Sequence, residues 1–172
     1  MPGWRARLAL ALAIGAGCGG GGGGSDGGAA DAGPAFAPTF ANIQQNVIKI
    51  GCALEICHAS DTARNAGGLD LQANPYLALL GDGGTGAPAA DPLGYPYRYN
   101  GMLLVAPGDP AHSLLYLKIT ADPSCKGGAG SQAPPQAQCP DGLQMPNVAG
   151  TSLDPGSIEA IREWIVDGAK ND

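Results

Sequence analysis

Two thiols and an imidazole stand together in Cys52-Ala-Leu-Glu-Ile-Cys57-His58. In an exported chain this set suits one chemistry above others. Both thiols are held to a haem as thioethers, and the adjacent histidine is supplied to the iron. The usual signature has two residues between the cysteines; this chain has Ala53, Leu54, Glu55 and Ile56 there. The competing chemistry is a plain Cys52–Cys57 disulfide, which needs no haem. A haem carrier also wants a second axial ligand, and thioether sulfur is a soft donor that favours ferrous iron and raises the potential relative to two histidines. Met145, directly before Pro146, is the candidate, because the proline restricts it to an extended backbone that presents its side chain from a loop. The other histidine, His112, falls in the first turn of a predicted helix and reads as a half-exposed side chain rather than a ligand.

The start of the chain reads as an address. Arg5 and Arg7 precede the apolar run Leu8 to Ile14, and Gly15-Ala16-Gly17 leads into Cys18. That is the layout of an export signal over residues 1–17, too short to span a bilayer. Cys18 behind small residues resembles the lipobox of bacterial lipoproteins, with Gly15 where leucine is usual, so Cys18 is expected to carry lipid and become the new N-terminus. Residues 18–38 then form the lipidated cysteine and its tether. Gly19 to Gly24 and Ser25-Asp26-Gly27-Gly28 bury nothing, and a coil of about twenty such residues reaches roughly 25 Å. The expected location is outside the cytoplasm, on a membrane, facing the periplasm or the cell surface.

Charge narrows the partners. Nine basic residues face fifteen acidic ones, and removing the signal removes Arg5 and Arg7 as well. Such a chain repels phosphate backbones, which excludes nucleic acid. The glycine-rich residues 81–94 lack the Gly-Lys-Ser or Gly-Lys-Thr of a phosphate loop. No triad or metal-hydrolase spacing occurs either, so no catalytic residue is assigned. Of the five cysteines, Cys18 goes to lipid and Cys52 and Cys57 to haem, which leaves Cys125 and Cys139 to pair with each other. That disulfide would contribute roughly 3 kcal/mol in the chain-entropy view.

The elements that must position these groups are short. Residues 39–172 are enough for one small domain. Phe40, Ile43, Val47 and Ile50 recur at helical spacing behind Thr39 as N-cap, and Gly51 is the expected stop, so the cysteine loop opens off a helix end. Asn74-Pro75, Asp109-Pro110 and Asp154-Pro155 each join a capping residue to a proline at the first helical position, and Gly81 closes the helix begun by the first of them. The last helix carries Ile158, Ile161, Trp164 and Ile165 on one face, with Trp164 expected in the core against the first helix. Tyr95, Tyr97 and Tyr99 alternate as the face of an extended edge segment, and residues 122–142 read as an irregular stretch leading to Met145. The fold class is therefore mainly α, about four short helices with long irregular loops. So few elements and aromatics bury little, and a flat apolar macrocycle would supply the missing core.

From Thr39 to Ala169 the chain resembles the exported, often lipid-anchored bacterial cytochrome c-like proteins related to the planctomycete-type cytochrome c domain. The resemblance runs through Cys52, Cys57 and His58, then Gly67-Gly68-Leu69-Asp70-Leu71, then Pro107-Gly108-Asp109-Pro110-Ala111-His112-Ser113-Leu114-Leu115, then Met145-Pro146. It closes on Ile161-Arg162-Glu163-Trp164-Ile165-Val166-Asp167-Gly168-Ala169. It implies a cytochrome c-like domain around one covalent haem c, with Cys52 and Cys57 as thioether anchors, His58 as proximal iron ligand and Met145 as distal ligand. The implied function is outer-sphere electron transfer to and from a redox partner protein, without catalysis. Two alternatives differ in class. One is a haem-less exported binding or structural module with a Cys52–Cys57 disulfide. The other is a peroxidase-like haem enzyme, which would need Met145 off the iron.

Overall fold

Capping residues followed by proline start three of the helical segments. In the computed structural model, which describes residues 33–59, 68–89, 99, 101–121, 144–146 and 151–172, Asn74 accepts the N–H of Leu77 at 3.1 Å and opens α2, Pro75–Leu80. Asp109 accepts the N–H of His112 at 3.2 Å and opens a 3-10 turn, Pro110–His112. Asp154 accepts the N–H of Ser157 at 2.9 Å and opens α4, Pro155–Val166. Proline lacks an N–H that the first turn would leave unpaired anyway, so the cap and the ring act together. Gly81 ends α2 with φ +69°, a backbone that side chains other than glycine's resist.

The segment from Asp109 divides. After the 3-10 turn the chain bends at Ser113 and restarts as α3, Leu114–Thr120. Buried Ser113 enforces the bend: its Oγ accepts the N–H of Ala106 and donates to the carbonyl of Asp109, each at 2.8 Å.

The first helix departs from its expected form. Thr39 caps α1, Phe40–Ile43, as its hydroxyl accepts the N–H of Asn42 at 3.3 Å. The chain then continues as a π-helix, Gln44–Cys52, past the glycine expected to stop it. Its last turn closes from Ala53 N–H to the Ile48 carbonyl, five residues back, at 2.8 Å. The wider turn moves the apolar stripe. Ile48 is 4% exposed and Ile50 69% exposed, the reverse of what regular α-helical spacing predicts.

The described residues are mainly helical, with four α-helices, one π-helix, one 3-10 turn and no strand among them; one isolated bridge pairs Pro88 with Leu103. All lie in the unit Asp31–Asp172. Helices α1 and α3 both pack on α4. Between them Phe40 meets the edge of Tyr76 at 5.0 Å and tilts against buried Trp164 at 5.5 Å, which places Trp164 against the first helix as its spacing predicts. The Trp164 indole donates to the Lys170 carbonyl at 2.8 Å. The residues after α4 return to its partner: Asp172 accepts the N–H of Phe40 through Oδ1 at 3.0 Å and that of Ala41 through its carbonyl oxygen at 2.9 Å. Ala35 N–H donates to the Gly156 carbonyl at 3.0 Å, and a Cβ on Gly156 would sit 2.9 Å from that of Ala35, so only glycine permits the approach.

Tyr99 is buried, with the Lys118 ammonium 4.4 Å from its ring centre; Tyr95 and Tyr97 lie outside the described residues, as do residues 1–32, Cys125 and Cys139. Among the described residues no helix is long and apolar enough to cross a membrane.

The cap of α4 carries a measurable load. Asp154→Ala is expected to lower stability to urea by about 0.5–2 kcal/mol. Hydrogen bonds from the Ser157 hydroxyl and N–H hold the Asp154 carboxyl below its ordinary 3.8. The stabilisation is then full above pH 3.8 and lost as pH falls through the lower folded value. The gap between wild type and variant should close in acid; an unchanged gap would show that the carboxylate charge has no part in it.

Candidate functional site

The cysteine loop is closed by its own backbone. Cys52 ends the π-helix, and its carbonyl accepts the N–H of His58 at 3.1 Å. Inside that closure the Leu54 carbonyl accepts the N–H of Cys57 at 2.8 Å and of Ala59 at 3.2 Å. Four intervening residues are enough for a turn of this kind. Both sulfurs are free thiols, each on a half-buried residue. Cys52 and Ala53 pack against the main apolar core, and so do Leu69 and Leu71. Burial, and next to it the charge of Cys57, push the Cys52 thiol up to about 11. The group is therefore a neutral thiol. Among the described residues no three histidine, cysteine or acidic side chains gather to hold a metal ion.

His58 is oriented from outside the loop. Its Nδ1 lies 3.2 Å from the carbonyl of Leu69, and the N–H of Leu71 returns a bond of 2.8 Å to the His58 carbonyl. A carbonyl only accepts, so Nδ1 carries the proton and Nε2 keeps its lone pair for another partner. Burial holds the imidazole below its ordinary 6.5, against the opposing pull of the Leu69 carbonyl.

Met145 is placed by α3. Its N–H donates to the Lys118 carbonyl at 2.9 Å, and it is half-buried ahead of a cis bond to Pro146. Lys118 precedes Ile119, which belongs to the same core that Cys52 packs on. His112, by contrast, sits on the surface with its Nδ1 2.6 Å from Asp109 Oδ2 and its side chain 76% exposed. Hydrogen bonding from His112 holds the Asp109 carboxyl below its usual range.

Three features escape a reading of residue types. The Leu69 carbonyl and the Lys118 carbonyl act through the backbone, which carries no sequence signal. The third is a rim of exposed apolar side chains, Ile50, Leu54 and Ile56, bracketing the cysteines; Ile56 is 81% exposed. Two free thiols and an imidazole share one loop, with Cys52 against the main core, while Met145 is held apart from them on the Lys118 carbonyl; by type these are the donors of a thioether-linked haem.

No protein family, no curated protein and no solved structure matches the chain.

Proposed function

We propose that this chain is an exported monohaem c-type cytochrome of the planctomycete-type kind, held to a membrane by lipid on Cys18, which carries electrons between protein partners. The observation that supports it most is the bond from His58 Nδ1 to the Leu69 carbonyl, which leaves Nε2 as the open nitrogen of a ring carried on the same loop as two free thiols. The haem, when bound, supplies a one-electron ferric–ferrous couple. Cys52 and Cys57 would hold it through thioethers and His58 and Met145 would ligate its iron, so no substrate site is needed. The Leu69 carbonyl keeps the imidazole turned, and the Lys118 carbonyl holds the backbone of Met145. The apolar rim of Ile50, Leu54 and Ile56 suits contact with an apolar partner surface.

The test is an absorption spectrum, oxidised and reduced, of protein made with a cytochrome c maturation system and extracted under denaturing conditions. A c-type reduced band that survives extraction is expected, with a weak far-red band that Met145→Ala abolishes. No bound haem, with Cys52 and Cys57 disulfide-linked, would replace this reading by a tethered module without haem. A high-spin spectrum would point to an open iron position and a haem enzyme.

A further inference from the structure

Three aromatic residues meet around Phe40, and each is tied to one short stretch of chain after α4. The Tyr76 hydroxyl donates to the Ala169 carbonyl at 3.2 Å, the Trp164 indole to the Lys170 carbonyl at 2.8 Å, and the Phe40 N–H to Asp172 Oδ1 at 3.0 Å. They stand on α2, α4 and α1, so residues 168–172 join three helices far apart in sequence. The stretch holds a conformation it would not take alone. Ala169 is fully buried with φ +51°, the one described residue other than glycine with a positive φ. A Cβ disfavours that backbone, which persists only where its surroundings fix it. Here the Ala169 N–H is fixed on the Trp164 carbonyl at 2.8 Å and its carbonyl on Tyr76.

The far end of the stretch completes a helix start. The first four N–H groups of a helix have no partner inside it. Thr39 N–H donates to the Ala37 carbonyl at 2.8 Å and Asn42 N–H to the Thr39 hydroxyl at 3.3 Å. The two between them, Phe40 and Ala41, donate to the side chain and the main-chain oxygen of Asp172. The segment so capped runs on without a break to Cys52, includes a π-helical stretch, and has a length at which a helix is marginal by itself. Half of its start is therefore supplied by a residue 132 positions further on.

We infer that residues 168–172 act as a clasp on the element that carries the cysteine loop. Docked, they fix residues 40–52 and the loop that opens from Cys52. Released, they let that segment unwind from its first turn and free the loop. Asp172 is exposed, so release begins at the surface and needs no opening of the core. Its role is positioning: it reaches Cys52 and His58 only through the helix. The clasp is built from protein groups alone and does not depend on the haem reading.

The test is amide hydrogen exchange, followed by mass spectrometry on the full chain as purified, over peptides from residues 40–52 and from α4. Asp172→Ala is expected to raise exchange in residues 40–52 roughly tenfold, the scale of a lost N-cap, and to leave α4 unmoved. Asp172→Asn keeps an acceptor oxygen and should return the wild-type rate. Unchanged exchange in Asp172→Ala would overturn the clasp. So would an equal rise throughout α4, which marks a general loss of stability, or an asparagine variant as open as the alanine one.

Discussion

Replacing Cys52 and Cys57 together by serine is expected to abolish covalent haem. In the thioether reading each sulfur is one of two covalent links, so the change is all-or-none on a denaturing gel stained for haem, and the mass falls to that of the bare chain. The single variants separate the two anchors. Cys57 lies in the turn closed by Leu54, whereas Cys52 packs on the core and its carbonyl holds the N–H of His58. Cys52→Ser puts a hydroxyl where a half-buried neutral thiol packs on the core, which works against that packing. Cys57→Ser is therefore expected to retain more singly attached haem than Cys52→Ser. If wild type and double variant have the same haem-free spectrum, and the wild type is lighter than its reduced form by one pair of hydrogens, the Cys52–Cys57 disulfide is the better account.

The parts of this fold that a sequence states plainly are those decided within a few residues. Asn74, Asp109 and Asp154 are caps because a short acceptor reaches the third N–H along, and the following proline fits the first turn whatever lies beyond it. Trp164 is legible for a similar reason, since its face, Ile158 to Ile165, repeats at helical spacing over about two turns. Ile50 shows the limit. Its spacing from Val47 predicts burial only if the winding stays constant, and the winding is set by tertiary packing, so the stripe passes to Ile48. The site divides along the same line. Cys52, Cys57, His58 and Met145 are visible as residue types, while the partner that turns His58 is a carbonyl eleven residues on, brought back by the fold. Cys18, Cys125 and Cys139 lie outside the described residues, and their roles rest on the sequence pattern alone.

Trp164→Ala is expected to cost the most stability of any single change in α4. The side chain is 1% exposed, faces Phe40 at 5.5 Å and donates to the Lys170 carbonyl. Truncating a buried aromatic to alanine removes about 3–5 kcal/mol, out of a total of roughly 5–15 kcal/mol for a domain of this kind. Urea unfolding of the full chain should show a large fall in midpoint with little change in slope. Trp164→Phe divides the effect: it keeps a ring against Phe40 and gives up the indole bond, so it should lose distinctly less, and it carries the measurement if the alanine variant cannot be purified. The consequence reaches the site, because Phe40 begins the same continuous helical segment that ends at Cys52. Loosening Trp164 loosens the element from which the cysteine loop opens. An alanine variant with the wild-type midpoint would mean that the packing of α1 on α4 does not hold that loop in place, and that the support for Cys52 comes from elsewhere in the core.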